Sequence, residues 1–279
     1  MRRLVLILPL AGLIAAVAES PLTLVVCAPG YPGNTEQAQP VMDDLATQLS
    51  AAAGWDVDGL DAVYHERLQP GIDRLTAPDA AMALVPLPLY LEHRETLQLK
   101  PVLQVVHASG RPETWTLVAR KGAVSKPEDL EGWELAGMPV YSRRFVRRVA
   151  LADWGRLPEN VELRFSSRIV SILRRAAAGE NVAVLLDAAQ AKALPKLGFA
   201  ADLEVVTVSP PMIGSLVCSV SDRIDTGRQR GLVEALSALH RNDGSEELLE
   251  TLRINRFEPL DADRLEAIEH SFDGGPSGS

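Results

Sequence analysis

The sequence has few of the residues from which disulfide scaffolds and metal centres are built. Two cysteines, Cys27 and Cys218, occur in 279 residues, and the five histidines are scattered without the close spacing of a zinc site. We therefore expect neither a disulfide scaffold nor a bound metal. The two cysteines could pair in an oxidising compartment, and the alternative interpretation is a pair of buried strand thiols.

Motifs for catalysis and nucleotide binding are also absent. There is no Gly-x-Ser-x-Gly elbow, no Walker loop and no Gly-x-Gly-x-x-Gly turn, which disfavours acyl transfer, NTP hydrolysis and dinucleotide binding. We expect no enzyme activity and no cofactor. Positive charge is scarce as well, because the formal net charge is −9. An acidic chain does not seek a phosphate backbone, so nucleic acid is excluded as an expected partner.

The first 18 residues have the pattern of a secretory signal peptide. Arg2 and Arg3 precede an apolar run over residues 4–15, and residues 16–18 supply the small side chains that signal peptidase requires before Glu19. A membrane anchor is the alternative, but the run is shorter than the roughly 20 residues that span a bilayer. We predict cleavage after residue 18 and a periplasmic location.

Short apolar segments alternate with helical patterns along the rest of the chain. Strands are predicted at 22–27, 60–64, 81–85, 102–106, 115–119, 134–136, 182–186, 203–208 and 216–220. Helices are predicted at 36–53, 65–75, 169–178, 228–240, 245–252 and 261–270, with Ser166 or Ser167 as the N-cap of the third. This alternation predicts an α/β protein whose sheets are mixed, mostly parallel and flanked by helices.

The charge distribution suggests two lobes. Residues 122–208 contain 12 Lys and Arg against 11 Asp and Glu, whereas the rest of the chain after residue 18 contains 14 against 26. We therefore predict lobe two at 122–208, lobe one from 19–121 plus 209–272, and a flexible tail at 273–279. Two crossings between the lobes would create a cleft lined by strand ends and helix starts, where open α/β sheets bind ligands.

Six segments, taken in order, resemble one family: 31–40, 79–85, 100–102, 114–122, 129–132 and 179–187. They are similar to the phosphate/phosphite/phosphonate ABC transporter substrate-binding proteins, which have the type II periplasmic-binding fold. The resemblance implies a small anionic ligand in the inter-lobe cleft and an ABC permease as partner. We also expect a monomer. A sensory binding protein that signals to a membrane kinase or chemoreceptor is an alternative, as is an enzyme on the same fold.

The resemblance also implies candidate ligand-binding residues at the strand ends. They are Tyr31, Asn34, Thr35 and Tyr90 in lobe one, and Tyr141, Ser142, Arg143 and Asp187 in lobe two. Asn34, Thr35 and Asp187 could instead cap helices, and Arg143 could belong to a solvated arginine face. The candidates leave the ligand open among phosphate, phosphonate, another oxyanion and a small carboxylate.

Overall fold

The computed structural model describes residues 21–274, which form two sheets flanked by helices. The predicted signal peptide and residues 275–279 of the predicted tail lie outside the described residues. Asp273, which we assign to the tail, instead ends a helix that Gly274 caps in the left-handed conformation, at φ 94°. No helix within residues 21–274 is long and apolar enough to cross a membrane.

The strands of the described chain are β1 (Leu22–Cys27), β2 (Leu60–His65), β3 (Ala80–Pro86), β4 (Leu99–His107), β5 (Thr116–Arg120), β6 (Glu134–Gly137), β7 (Glu162–Phe165), β8 (Val182–Leu186), β9 (Leu203–Val208), β10 (Ser215–Val220) and β11 (Ile254–Pro259). The helices are α1 (Thr35–Ala53), α2 (Leu68–Thr76), α3 (Leu87–His93), α4 (Arg143–Phe145, continued by a π-helical turn over Val146–Ala150), α5 (Ile169–Ala177), α6 (Ala188–Ala193), α7 (Thr226–Ala238), α8 (Ser245–Leu252) and α9 (Ala262–Asp273).

Both sheets of the described chain are mixed. The first has the order β11-β4-β10-β3-β1-β2 and the second β7-β6-β8-β5-β9. Only the pairs β1–β2, β1–β3, β6–β7 and β6–β8 are parallel. The parallel share is thus smaller than we predict, because β4, β5, β9, β10 and β11 all pair in antiparallel fashion.

The structure places the boundary between the lobes before β5, whereas we predict it after this strand. We predict lobe one to extend to residue 121, but β5 pairs with β8 and β9 in the second sheet. Its side chains at Leu117 and Val118 are fully buried. The crossings therefore lie before β5 and after β9, over 108–115 and 209–214. Charge counts do not locate this boundary, because β5 carries a single charged residue, Arg120, at its end.

Several predicted elements coincide with the structure, and others were missed. The predictions for β1, β8, β9 and α8 match to the residue. Strands β7 and β11 and helix α3 were missed. We predict no helix directly after β3, but α3 forms there because Pro88 is accommodated in its first turn, where a missing N–H has no consequence. Neither serine is the N-cap of α5, because Arg168 holds that position.

Strand β1 shows how the first sheet is covered on both faces. Leu24 and Val26 pack in the cluster that includes α1, α7 and α8, whereas Val25 and Cys27 pack in the cluster that includes α2, α3 and α9. This alternation follows from the two-residue period of a strand. Cys27 and Cys218 are free thiols, because β3 lies between β1 and β10. Burial raises the pKa of the Cys27 thiol to about 12.

We predict that Gly71→Ala destabilises the protein through its contact with β1. A methyl group at Gly71, in α2, would overlap the Cys27 sulfur and lie 3.0 Å from its Cβ. Overpacking of this kind costs about 1–3 kcal/mol, more than the roughly 1 kcal/mol that alanine gains over glycine in a helix. Urea denaturation should show a smaller loss when Gly71→Ala is made in a Cys27→Ala background.

Gly198→Ala is the control for the Gly71→Ala measurements, because a methyl group there meets no atom of the described chain within 4 Å. It should change the free energy of unfolding little. An equal loss from Gly71→Ala in both backgrounds would show that the sulfur is not the obstacle.

Candidate functional site

A cleft of about 950 Å³ lies between the lobes. Lobe one contributes the loop after β1 and the ends of β2 and β4. Lobe two contributes the segments that follow β6, β7 and β8, including the starts of α5 and α6. The cleft therefore lies at the carboxyl ends of the parallel strands of both sheets. Its volume is within the range of small-molecule sites, about 300–1,000 Å³.

The inner wall of the cleft carries two carboxylates. Glu113 lies in the first crossing, and its Oε1 accepts hydrogen bonds from Ala188 N at 2.8 Å and Thr114 N at 3.0 Å. Asp187 follows β8, is 5% exposed and accepts from Gln190 N at 2.7 Å as the N-cap of α6. His107 ends β4 and lines the same wall. Its Nε2 is buried and has no hydrogen-bond partner in the described chain.

Burial controls the ionisation of these groups. Desolvation is the main cause that raises the pKa of Asp187 to about 6, and the nearby charge of Glu113 adds to it. Desolvation also raises the pKa of Glu113, against the two backbone N–H groups that lower it. The pKa of His107 is lowered by burial. At neutral pH the wall therefore holds a neutral imidazole beside Asp187, a carboxylate that is readily protonated near pH 6.

The mouth of the cleft is lined by arginines. Arg67, Arg111 and Arg253 come from lobe one, and Arg168 precedes α5 in lobe two. All four are exposed. Within residues 21–274, none of the four guanidinium groups makes a hydrogen bond or an ion pair. They are therefore available to an incoming anion, and Arg binds phosphate and carboxylate groups through two parallel hydrogen bonds.

The lobes contact each other at the loop after β1. Tyr31 packs against the apolar cluster of lobe two that includes residues of α5 and β8. Gly30 has φ 86°, and a methyl group there would lie 3.2 Å from the ring of Phe165. Glycine is suited to this position because it tolerates both the positive φ and the close approach. The tip of this loop is thus held between the two lobes.

Comparison with known proteins identifies the family. Residues 32–265 match the family model for the periplasmic substrate-binding protein of the ABC transporter for phosphonate. The chain belongs to this family. No curated protein sequence matches the chain.

Solved structures of similar proteins show the same fold. PhnD1 from Prochlorococcus marinus, in complex with methylphosphonate, has a TM-score of 0.61 at 14% identity, over 90% of this chain and 97% of that one. A binding protein component of an ABC phosphonate transporter from Pseudomonas aeruginosa gives 0.60 at 15%, over 91% and 88%. XAC2383 from Xanthomonas citri, bound to chloride ion, gives 0.68 at 13%, over 91% and 98%. The type II periplasmic-binding fold that we predict is confirmed.

Of the candidate residues, the structure brings Tyr31 and Asp187 to the cleft of this family member. Asn34 and Thr35 lie outside it. The Asn34 side chain accepts from Gln37 N at 2.8 Å as the N-cap of α1, which is the capping role that we consider as the alternative. The Thr35 hydroxyl donates to Glu66 Oε2 at 3.3 Å. Both side chains are occupied by contacts near the start of α1.

Tyr90 and Ser142 do not reach the cleft. The hydroxyl of Tyr90, in α3, donates to Glu269 of α9 at 2.5 Å. The hydroxyl of Ser142 is fully buried, donates to Glu92 Oε2 at 2.6 Å and caps α4 by accepting from Phe145 N. Both residues join α3 of lobe one to neighbouring helices. The structure therefore brings neither of these candidates to the lining of the cleft.

Tyr141 and Arg143 are also outside the cleft lining. The Tyr141 ring packs edge-on against Phe165, with centroids 6.1 Å apart. Arg143 is exposed at the start of α4, in agreement with the alternative of a solvated face. Sequence reasoning missed Glu113 and the four arginines of the mouth. A usable signal was their position, because Arg67, Arg111 and Arg168 each follow closely after a strand.

Asp187→Asn should change how the stability of the protein depends on pH. A carboxyl group whose pKa is raised in the folded state, here from 3.8 to about 6, stabilises the fold below pH 4 and loses that contribution as pH rises through 6. Asparagine keeps the cap without the buried charge. The stability of the variant relative to wild type should rise between pH 4 and pH 7.5, on the order of 1–3 kcal/mol.

Urea denaturation at both pH values measures this difference. Asp225→Asn is the matched control, because Asp225 caps α7 at a solvent-exposed position. A difference between Asp187→Asn and wild type that is the same at pH 4 and pH 7.5 would contradict the burial argument.

Proposed function

We propose that this protein captures a small phosphorus oxyanion, phosphate- or phosphonate-like, in the inter-lobe cleft and presents it to an ABC permease in the periplasm. Membership of the phosphonate-binding family supports transport-linked binding. The observation that carries the anion is the set of four arginines at the cleft mouth, which come from both lobes. An anion between them would favour closure, because both lobes would contact it.

The carboxylates of the inner wall favour oxyanions that carry a proton. An ionised Asp187 can accept a hydrogen bond from the P–OH group of a monoanionic phosphate or phosphonate. Sulfate and carboxylates have no such proton at neutral pH and would instead meet a repulsive charge. Burial strengthens both effects, because charges interact more strongly where water is excluded. The wall thus supplies the selectivity that the arginines alone do not provide.

Location and assembly follow from the same proposal. Cleavage of residues 1–18 would release the protein into the periplasm, where the family acts. A monomer fits the role, since each chain has residues from both lobes around its own cleft. A binding protein of this kind needs no catalytic group, and we propose none.

A thermal-shift screen tests the ligand class. Protein lacking residues 1–18, unfolded and refolded to remove bound solutes, should melt at a higher temperature with phosphate, phosphite or methylphosphonate than with sulfate or acetate, because a ligand of the folded state alone raises the midpoint. A larger shift with acetate or other small carboxylates would retain the binding role and overturn the phosphorus assignment. No shift with any of these anions would overturn the proposed ligand class.

Substitution of the mouth arginines tests the site. Arg168→Gln and Arg253→Gln should each weaken binding of the best phosphorus oxyanion about tenfold or more, since a hydrogen bond to a charged group contributes roughly 1.5–3 kcal/mol. Calorimetric titration gives the dissociation constants. Arg230→Gln, an exposed arginine of α7, is the control and should bind as wild type does. Unchanged affinity in both cleft variants would place the anion elsewhere.

A further inference from the structure

A second cavity, of about 360 Å³, lies inside lobe one beside the cleft. Its floor is formed by Val26, Leu84 and Val105, from β1, β3 and β4, and its roof by α1. Val26 and Leu84 are direct partners in the β1–β3 register. The three floor residues keep 6–8% exposure, whereas Val25 and Ala83 on the opposite face are fully buried. The apolar face under the start of α1 therefore borders accessible space.

The cavity adjoins the cleft at the loop after β1. Tyr31, Pro32, Gly33, His107 and Arg253 line both spaces. The Tyr64 hydroxyl donates to the carbonyl oxygens of Tyr31 and Pro32, at 3.4 Å each, and so supports the loop from the cavity side. A molecule whose charged group lies near Arg253 could thus extend past this loop into lobe one.

The residues that line the lobe-one cavity determine which ligand group it could hold. Most of the lining is apolar, and on α1 it includes Ala38, Val41 and Met42. Polar side chains of the lining include Gln37, Tyr64, His107, Ser215, Thr251 and Arg253. Protein interiors are close-packed, so a space of this size among the strands of the first sheet, α1 and α8 is a distinct feature of the fold. Taking about 30 Å³ for a water-sized group, the cavity has room for about a dozen such groups, which is enough for a medium-length alkyl chain.

We propose that the ligand of this protein is amphiphilic, with an oxyanion head in the cleft and an aliphatic tail in the lobe-one cavity. The head rests on the proposed function, and the tail is a separate inference from the cavity. Burial of apolar surface contributes about 0.8 kcal/mol per methylene, which corresponds to about a fourfold gain in affinity for each carbon that is fully buried. Solutes with a medium-length alkyl chain are therefore the class recognised.

The test is a series of methyl-, butyl-, hexyl- and octylphosphonate, titrated by calorimetry into the protein without residues 1–18. Hexylphosphonate should bind at least tenfold more tightly than methylphosphonate, with a more negative heat-capacity change, the mark of apolar burial. Ala38→Leu, which fills the cavity from α1, should abolish the gain and leave methylphosphonate affinity unchanged. Ala52→Leu, on an exposed turn of the same helix, is the matched control and should keep the gain.

A second probe separates the two proposals. If methylphosphonate binds and chain length adds nothing, the tail proposal is overturned and the oxyanion proposal stands. If no phosphonate binds, the proposed oxyanion class fails, and 1-hexanol, an alkyl chain without the charge, decides the cavity. Binding of hexanol to wild type but not to Ala38→Leu supports the tail site, and no binding to either overturns it.

Discussion

The two-lobed arrangement depends on the pairing of the two crossing segments at Glu113 and Met212. Their backbones exchange hydrogen bonds of 3.0 and 2.8 Å, so the crossings lie side by side as a minimal antiparallel bridge. The side chain of Glu113 then accepts from Ala188 N at the start of α6. One residue thus connects the hinge to the inner wall of lobe two, and the desolvation of its carboxylate is partly offset by two backbone donors.

The charge arrangement of the cleft follows from that position. Within residues 21–274, the Glu113 carboxylate makes no ion pair with the four arginines of the mouth, which are exposed. Asp187 is buried on the same wall, and its desolvation, together with the nearby charge of Glu113, raises its pKa. Under the proposed function, the positive charges at the entrance would attract an anion and the carboxylates inside would select its protonation state.

Most of the fold could be predicted from the sequence, because its strands are short apolar runs between clear breaks. Strands β1 and β8 were predicted to the residue for this reason. The misses have physical causes as well. Strand β11 carries asparagine, arginine and glutamate at an edge of the first sheet, and α3 begins with Pro88 in a position that sequence rules also assign to turns. The assignment of β5 to the second sheet depends on strand partners 66 to 92 residues away in sequence, which no local pattern reveals.

The residues of the candidate site could be predicted only where their position directly after a strand places them at the cleft. Tyr31 and Asp187 follow buried parallel strands, so they reach the cleft whatever the other contacts are. Ser142 also lies after a strand, β6, but Glu92, 50 residues earlier, accepts its hydroxyl proton on the side of α3. Glu113 precedes a strand and owes its role to Ala188, 75 residues later. Contacts between residues so far apart in the sequence depend on packing, which residue type and spacing do not reveal.

The contacts behind the crossings limit how the lobes can move. Met212 lines a space formed with α9 and Arg148, whereas its bridge partner Glu113 lines the cleft. On the α9 side, Arg148 of lobe two donates to the Phe272 carbonyl oxygen at 3.2 Å, and Ser142 donates to Glu92. These bonds join lobe two to α3 and α9, so opening that preserves them has to pivot about the crossings. Movement is then greatest at the mouth, where the arginines of the two lobes separate, and least at Glu113.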